Sequence, residues 1–182
     1  MRDHVVRRIT ELALDDSRIM LITGDLGFGV LNEYREKCAD QFINAGVAEQ
    51  NMTAIAAGLS LEGFIVFTYS IGNFPTLRCL EQIRNDVCYH DLNVNILAVG
   101  GGFSYGQLGM SHHATEDLSI MRALPNMQVI APSDPWQAAQ AVDSMVAHPG
   151  PCYMRIDKSS AGLEASENYA FKIGRARVIS QG

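Results

Sequence analysis

The 182-residue chain is 47% hydrophobic and 19% charged, which fits one globular domain with an ample core. A formal charge of -6 and a pI near 5.3 argue against nucleic acid or an anionic membrane as its main partner. No apolar run reaches the roughly 18 residues of a membrane-spanning helix, and Met1-Arg2-Asp3-His4 does not open a secretory signal, so the cytoplasm is the expected location.

Short β-branched runs alternate with helix-period segments, which predicts an α/β fold with a mostly parallel central sheet and helices on both faces. A first helix is expected over about residues 4 to 14, and the run 18 to 23 reads as the first strand. Gly24-Asp25-Leu26-Gly27-Phe28-Gly29 then forms a loop at that strand's carboxyl end, where open α/β sheets place their ligands. Further strands are expected at 41 to 44, 64 to 69, 94 to 99, 128 to 131 and 152 to 156, with helices at 48 to 60, 75 to 89, 116 to 123 and 135 to 147. Ser133-Asp134-Pro135 is a helix start, with a capping side chain followed by a proline that needs no amide partner. A polar stretch from 159 to 168 resembles a linker, and 171 to 179 looks like the opening strand of something further. Cys38, Cys79, Cys88 and Cys152 are scattered without a CxxC pair and read as buried thiols.

The most informative segment is Asn44-Ala45-Gly46-Val47-Ala48-Glu49-Gln50-Asn51-Met52. It sets one carboxylate at the head of a helix that is otherwise small and apolar, with Met52, Ile55, Ala56 and Leu59 at helical spacing. The helix dipole favours an anion there and burial favours the neutral acid, so Glu49 is placed to share a proton. On helix-start statistics alone it reads as an ordinary first-turn glutamate, and the wider sequence reverses that reading. A second segment, Gly109-Met110-Ser111-His112-His113-Ala114-Thr115-Glu116-Asp117-Leu118, puts two histidines just before a helix, with Thr115 a possible cap. Surface solvation is the alternative for that pair. Gly100-Gly101-Gly102 follows a strand and is a weak phosphate-loop pattern, since no Gly-Lys-Ser/Thr ending follows.

Together these motifs resemble the pyrimidine-binding domain of the transketolase family of thiamine diphosphate enzymes, including deoxyxylulose-phosphate synthases. The resemblance covers most of residues 1 to 160; a third domain starts after it in the family, so 161 to 182 are expected to hold a linker and the start of that domain. It implies that Glu49 hydrogen-bonds the ring nitrogen of the cofactor's aminopyrimidine, where a shared proton activates the exocyclic amine toward C2 of the thiazolium. It implies that His112 faces the donor substrate, with His113 a second candidate, and that Phe74 stacks on the pyrimidine, while Phe67 and Tyr69 read as strand core residues. Asp25 matches an aspartate that approaches the cofactor, a plain Asx turn being its alternative. Lys158 stands at the family's phosphate-binding arginine, with Arg155 nearby as a substitute or as half of a buried ion pair. Leu108 stands where many transketolases carry an acidic residue that binds a sugar hydroxyl.

The family's Gly-Asp-Gly stretch for Mg²⁺ does not occur. The resemblance therefore implies a diphosphate-binding partner chain that holds the cation, and an oligomeric enzyme. The expected activity is transfer of a two-carbon ketol unit between sugars. Alternatives are the β component of a 2-oxo acid dehydrogenase, with a 2-oxo acid as substrate, or a non-catalytic scaffold subunit.

Overall fold

The structure, a computed structural model, describes residues 1–158, 170–175 and 178. Six strands, β1 (Ile19–Thr23), β2 (Phe42–Asn44), β3 (Ile65–Ile71), β4 (Val94–Val99), β5 (Gln128–Ile130) and β6 (Cys152–Ile156), form one sheet in the order β2-β1-β3-β4-β6-β5. Every pairing is parallel. The central strands β1, β3 and β4 are buried almost end to end, as their continuous apolar runs require when helices cover both faces. The edge strands β2 and β5 have three residues each and are partly exposed, which leaves little open ladder for another chain to pair with.

Helices α1 (Arg2–Asp15), α2 (Asn32–Lys37) and α6 (Pro135–Ala147) cover one face, burying Val5, Ile9, Tyr34 and Ala138 against Phe67, Tyr69 and Met154. Helices α3 (Glu49–Leu61), α4 (Leu80–Gln82) and α5 (Asp117–Arg122) cover the other, where Met52, Ala56, Ile83 and Met121 meet Val66, Ile96 and Tyr153. Phe67 and Tyr69 are thus core residues, as their strand positions predict. Helix α6 starts where Ser133-Asp134-Pro135 places it: Asp134 Oδ1 accepts from the Gln137 amide at 2.8 Å, and Pro135 occupies the first helical position.

Four expectations need correction. The segment 75 to 89 is not one α-helix but a 3₁₀ turn (Leu77–Cys79), the short α4 and a π turn (Ile83–Cys88). Ile83, Val87 and Cys88 are buried along the wider turn. Helix α2 was not foreseen, because Tyr34 is its single buried residue and leaves no apolar stripe to read. Thr115 caps nothing; its hydroxyl donates to Glu116 Oε2 at 2.8 Å, and α5 has no side-chain cap. Residues 170–175 form no strand: Ile173 and Gly174 lie in a turn closed by the Arg175 amide on the Lys172 carbonyl, while Phe171 and Ile173 pack against the core. The expected linker at 159 to 168, and most of 176 to 182, lie outside the described residues.

All four cysteines are buried free thiols. Burial pushes the Cys79 and Cys88 thiols up from 9.0 to about 11, and Cys152 to about 12. Because the folded state holds these protons more tightly than the unfolded one, the stabilisation is complete below about pH 9 and is lost as pH rises toward 11. Urea unfolding followed across this range should show a steady midpoint up to about pH 9 and a fall above it. A midpoint that rises on the alkaline side would contradict the burial of these groups.

Candidate active site

The loops that leave the carboxyl ends of β1, β2, β3, β4 and β6 meet on one rim of the sheet, and all the chemistry-bearing residues lie there. Glu49 opens α3 directly after the β2 loop. Its side chain is 2% exposed, and Oε2 accepts from Arg78 Nη1 at 2.8 Å. The approach to the sheet is close because α3 is lined with Ala56 and Ala57, and because Gly24 faces the carboxylate: a Cβ there would lie 3.4 Å from Glu49 Cγ.

A continuous line of contacts runs outward from this acid. The Arg78 guanidinium carbon sits 4.7 Å from the centroid of the Phe74 ring. Phe74 meets His112 edge to face with centroids 5.0 Å apart, and His112 is 5.7 Å from Tyr105. Lys158 Nζ lies 3.7 Å from the Tyr105 ring centroid. Burial holds the Tyr105 phenol above its ordinary value, so at neutral pH it is a neutral platform for the ammonium. Tyr105 itself rests on Gly100, whose φ of +83° and lack of a Cβ leave room for the ring. Beside it, Arg2, Phe28, Tyr69, Tyr105 and Lys158 line a cleft of about 220 Å³.

The β4 loop is pinned so that one histidine, His112, stands against Phe74 and Tyr105. Ser111 Oγ lies 3.0 Å from His112 Nδ1, which fixes the ring's rotation and turns Nε2 to the far edge. Asn73 Nδ2 donates to the Ser111 carbonyl at 2.9 Å and ties this loop to the loop after β3. His113 is directed elsewhere, with Nε2 3.0 Å from the Gly106 carbonyl and its ring against Phe103. The glycine run is not a phosphate cradle. The Gly100 amide donates to the Ile156 carbonyl, and Gly102 exchanges both backbone bonds with Ala114.

Asp25 sits at the edge of the group rather than in its line of contacts. It is exposed, with φ +57°, and Asn44 grips it twice: the Asp25 amide donates to Asn44 Oδ1 and Asn44 Nδ2 donates to Asp25 Oδ1, both at 3.0 Å. Asn44 Oδ1 also accepts from the Gly46 amide, so one side chain joins the β1 loop to the turn that leads to Glu49. Arg155 is half of an ion pair: its Nη1 donates to Asp117 Oδ1 at 3.1 Å, while the Tyr153 hydroxyl donates to Asp117 Oδ2 at 2.6 Å. Leu108 is exposed on the rim, as are Phe28, Val47, Leu77, Phe103 and Met110.

The structure thus brings Glu49, Phe74, His112 and Lys158 into one group, sets Asp25 beside it, and turns His113 away. Sequence reasoning missed Arg78, Tyr105 and Asn44. Arg78 stands four residues after Phe74, a spacing that could have suggested the pair, whereas Tyr105 and Asn44 are linked to the site through residues distant in sequence.

Residues 1–162 match the family described as the transketolase pyrimidine-binding domain. The chain is 35% identical to the 6-deoxy-6-sulfo-D-fructose transketolase subunit SqwH of Clostridium sp., covering 100% of this chain and 57% of that one. It is 34% identical to an apulose-4-phosphate transketolase subunit of Phocaeicola vulgatus, covering 96% and 56%. A solved structure of a split gene transketolase, an inactive beta4 tetramer, superposes with a TM-score of 0.83 at 36% identity over 96% of this chain and 56% of that one. The chain therefore spans just over half the length of these relatives. With a buried acid heading α3, an aromatic and a histidine on the same rim, and a family match that takes in all the functional loops, the chain belongs to the transketolase pyrimidine-binding domain family.

Proposed function

We propose that this chain is the pyrimidine-binding portion of a split transketolase-type enzyme, active only with a partner that carries the diphosphate and Mg²⁺ site. One observation carries the reading: a carboxylate at 2% exposure, at the head of an apolar helix, makes its outward contact on the same rim as Phe74 and His112. A buried acid of that kind is costly to maintain without a use for it. The residues fit the aminopyrimidine of thiamine diphosphate, a cofactor whose thiazolium ring would supply a carbanion equivalent that no amino-acid side chain offers. Glu49 would share a proton with the ring nitrogen, Phe74 would lie against the ring face, and Asp25 would flank the cofactor from the β1 loop. His112 would bind the donor and move a proton at its carbonyl. Lys158 would attract an anionic end of the substrate from beyond Tyr105, and His113 would hold the loop.

Several observations favour a partner. Among the described residues no group of three His, Cys, Asp or Glu side chains could hold a metal ion, and a diphosphate requires a cation with oxygen ligands. Exposed apolar side chains from four different loops stand on the same rim as the acid, a surface that a second subunit would cover. Two relatives are named as transketolase subunits. A sugar substrate is favoured over a 2-oxo acid because these relatives are named for transketolases of apulose-4-phosphate and 6-deoxy-6-sulfo-D-fructose. No helix among the described residues is long and apolar enough to cross a membrane. We place the domain boundary near residue 160, with the remainder opening a further domain.

Titration calorimetry tests the split site. Thiamine diphosphate with Mg²⁺ should give no binding heat with this chain alone and clear binding once a diphosphate-binding subunit is added. Strong binding by the single chain would overturn the need for a partner. Stable association with that subunit but no cofactor binding would favour a scaffold.

A further inference from the structure

The site contains a residue that the proposed function does not use. Arg78 makes two contacts, and both are with groups that the cofactor's aminopyrimidine would need: the Glu49 carboxylate at 2.8 Å and the Phe74 ring at 4.7 Å. Its guanidinium is planar, donates hydrogen bonds along one edge and stacks on an aromatic face, so it presents the same combination of features as the heterocycle. The two members of the ion pair differ sharply in exposure. Glu49 is 2% exposed and cannot leave the head of α3, whereas the Arg78 side chain is 48% exposed and borders water.

We propose that Arg78 is a latch: without cofactor it occupies the seat of the aminopyrimidine, and it swings into solvent when that ring enters. The proposal rests on the function given above. Its physical basis is that a buried carboxylate left without any partner is strongly unfavourable, so the unloaded chain needs a counter-charge at that spot. A long side chain whose far side already faces water supplies it at little desolvation cost, and can be withdrawn at little cost too. The 3₁₀ turn that carries Arg78 lies between the loop after β3 and α4, so the side chain moves without disturbing either the sheet or α3. Arg78 is then a positioning residue, acting through Glu49. It keeps the acid and the aromatic face apart from other occupants and sets the affinity threshold for loading.

The test compares wild type with Arg78→Gln and Arg78→Lys, each assembled with the diphosphate-binding subunit and titrated with thiamine diphosphate and Mg²⁺ by calorimetry. Because the ion pair is half exposed and partly screened, its removal should tighten cofactor binding by on the order of tenfold in Arg78→Gln. Arg78→Lys keeps the charge that protects the fold but lacks the planar fork, and should fall between the two. Urea unfolding of the cofactor-free chains should rank the variants in the opposite order, with wild type the most stable. Equal or weaker cofactor binding by both variants would make Arg78 a bystander or a direct cofactor contact and would overturn the latch. No binding by any of the three assembled proteins would overturn the proposed function instead, and the latch with it.

Discussion

In the assembled enzyme, Glu49→Gln should lower turnover by about 10²–10⁴-fold, the usual range for losing a positioned acid–base group. The amide fills the same volume at the head of α3 and can still accept from Arg78, but it cannot give up and take back a proton. Stability should change by no more than about 1 kcal/mol, since the buried charge disappears along with half of its pair and the other half remains half exposed. Turnover and a urea midpoint measured on the same preparation separate the two effects. Turnover within threefold of wild type would remove Glu49 from the chemistry.

Asp117→Ala should have the largest effect on folding. Its carboxylate is 1% exposed and accepts from both the Tyr153 hydroxyl and Arg155 Nη1. Removing it strands a fully buried phenol and a largely buried guanidinium, at a cost of about 3–5 kcal/mol. Asp117→Asn, which retains an acceptor for one partner, should cost less. The check is urea unfolding by circular dichroism. A loss below about 1 kcal/mol for the alanine variant would show that the triad is merely tolerated. Replacing Asp117 and Arg155 together by leucine and methionine should recover part of the loss, because no unpaired charge then remains.

Much of this architecture can be read from residue order. The central strands announce themselves as apolar β-branched runs, and α6 begins and ends where its cap and periodicity place it. Glu49 was legible because an isolated charge before Met52, Ile55 and Ala56 contrasts with its own helix. The site's remaining members were harder to find. Arg78 looks like any exposed arginine until the fold carries Glu49 to it across 29 positions. Asp117 looks like a first-turn acid, and its partners stand 36 and 38 residues away on β6. The π turn over Ile83–Cys88 is encoded by no local propensity. Long-range pairing of polar groups therefore stays hidden from a linear reading, whereas the alternation of apolar residues does not.

The small residues along α3 limit how this domain can vary. Since Ala56 and Ala57 let the helix lie tight on the sheet, the coordinates of its leading acid are inherited from the hydrophobic interior and not from any loop. A bulkier side chain seven positions along would lift the whole rod and carry the proton-sharing group with it. Under the proposed function, changes in loops would alter substrate choice while the acid keeps its place, and an apparently conservative interior change would silence the site without touching a single reacting group.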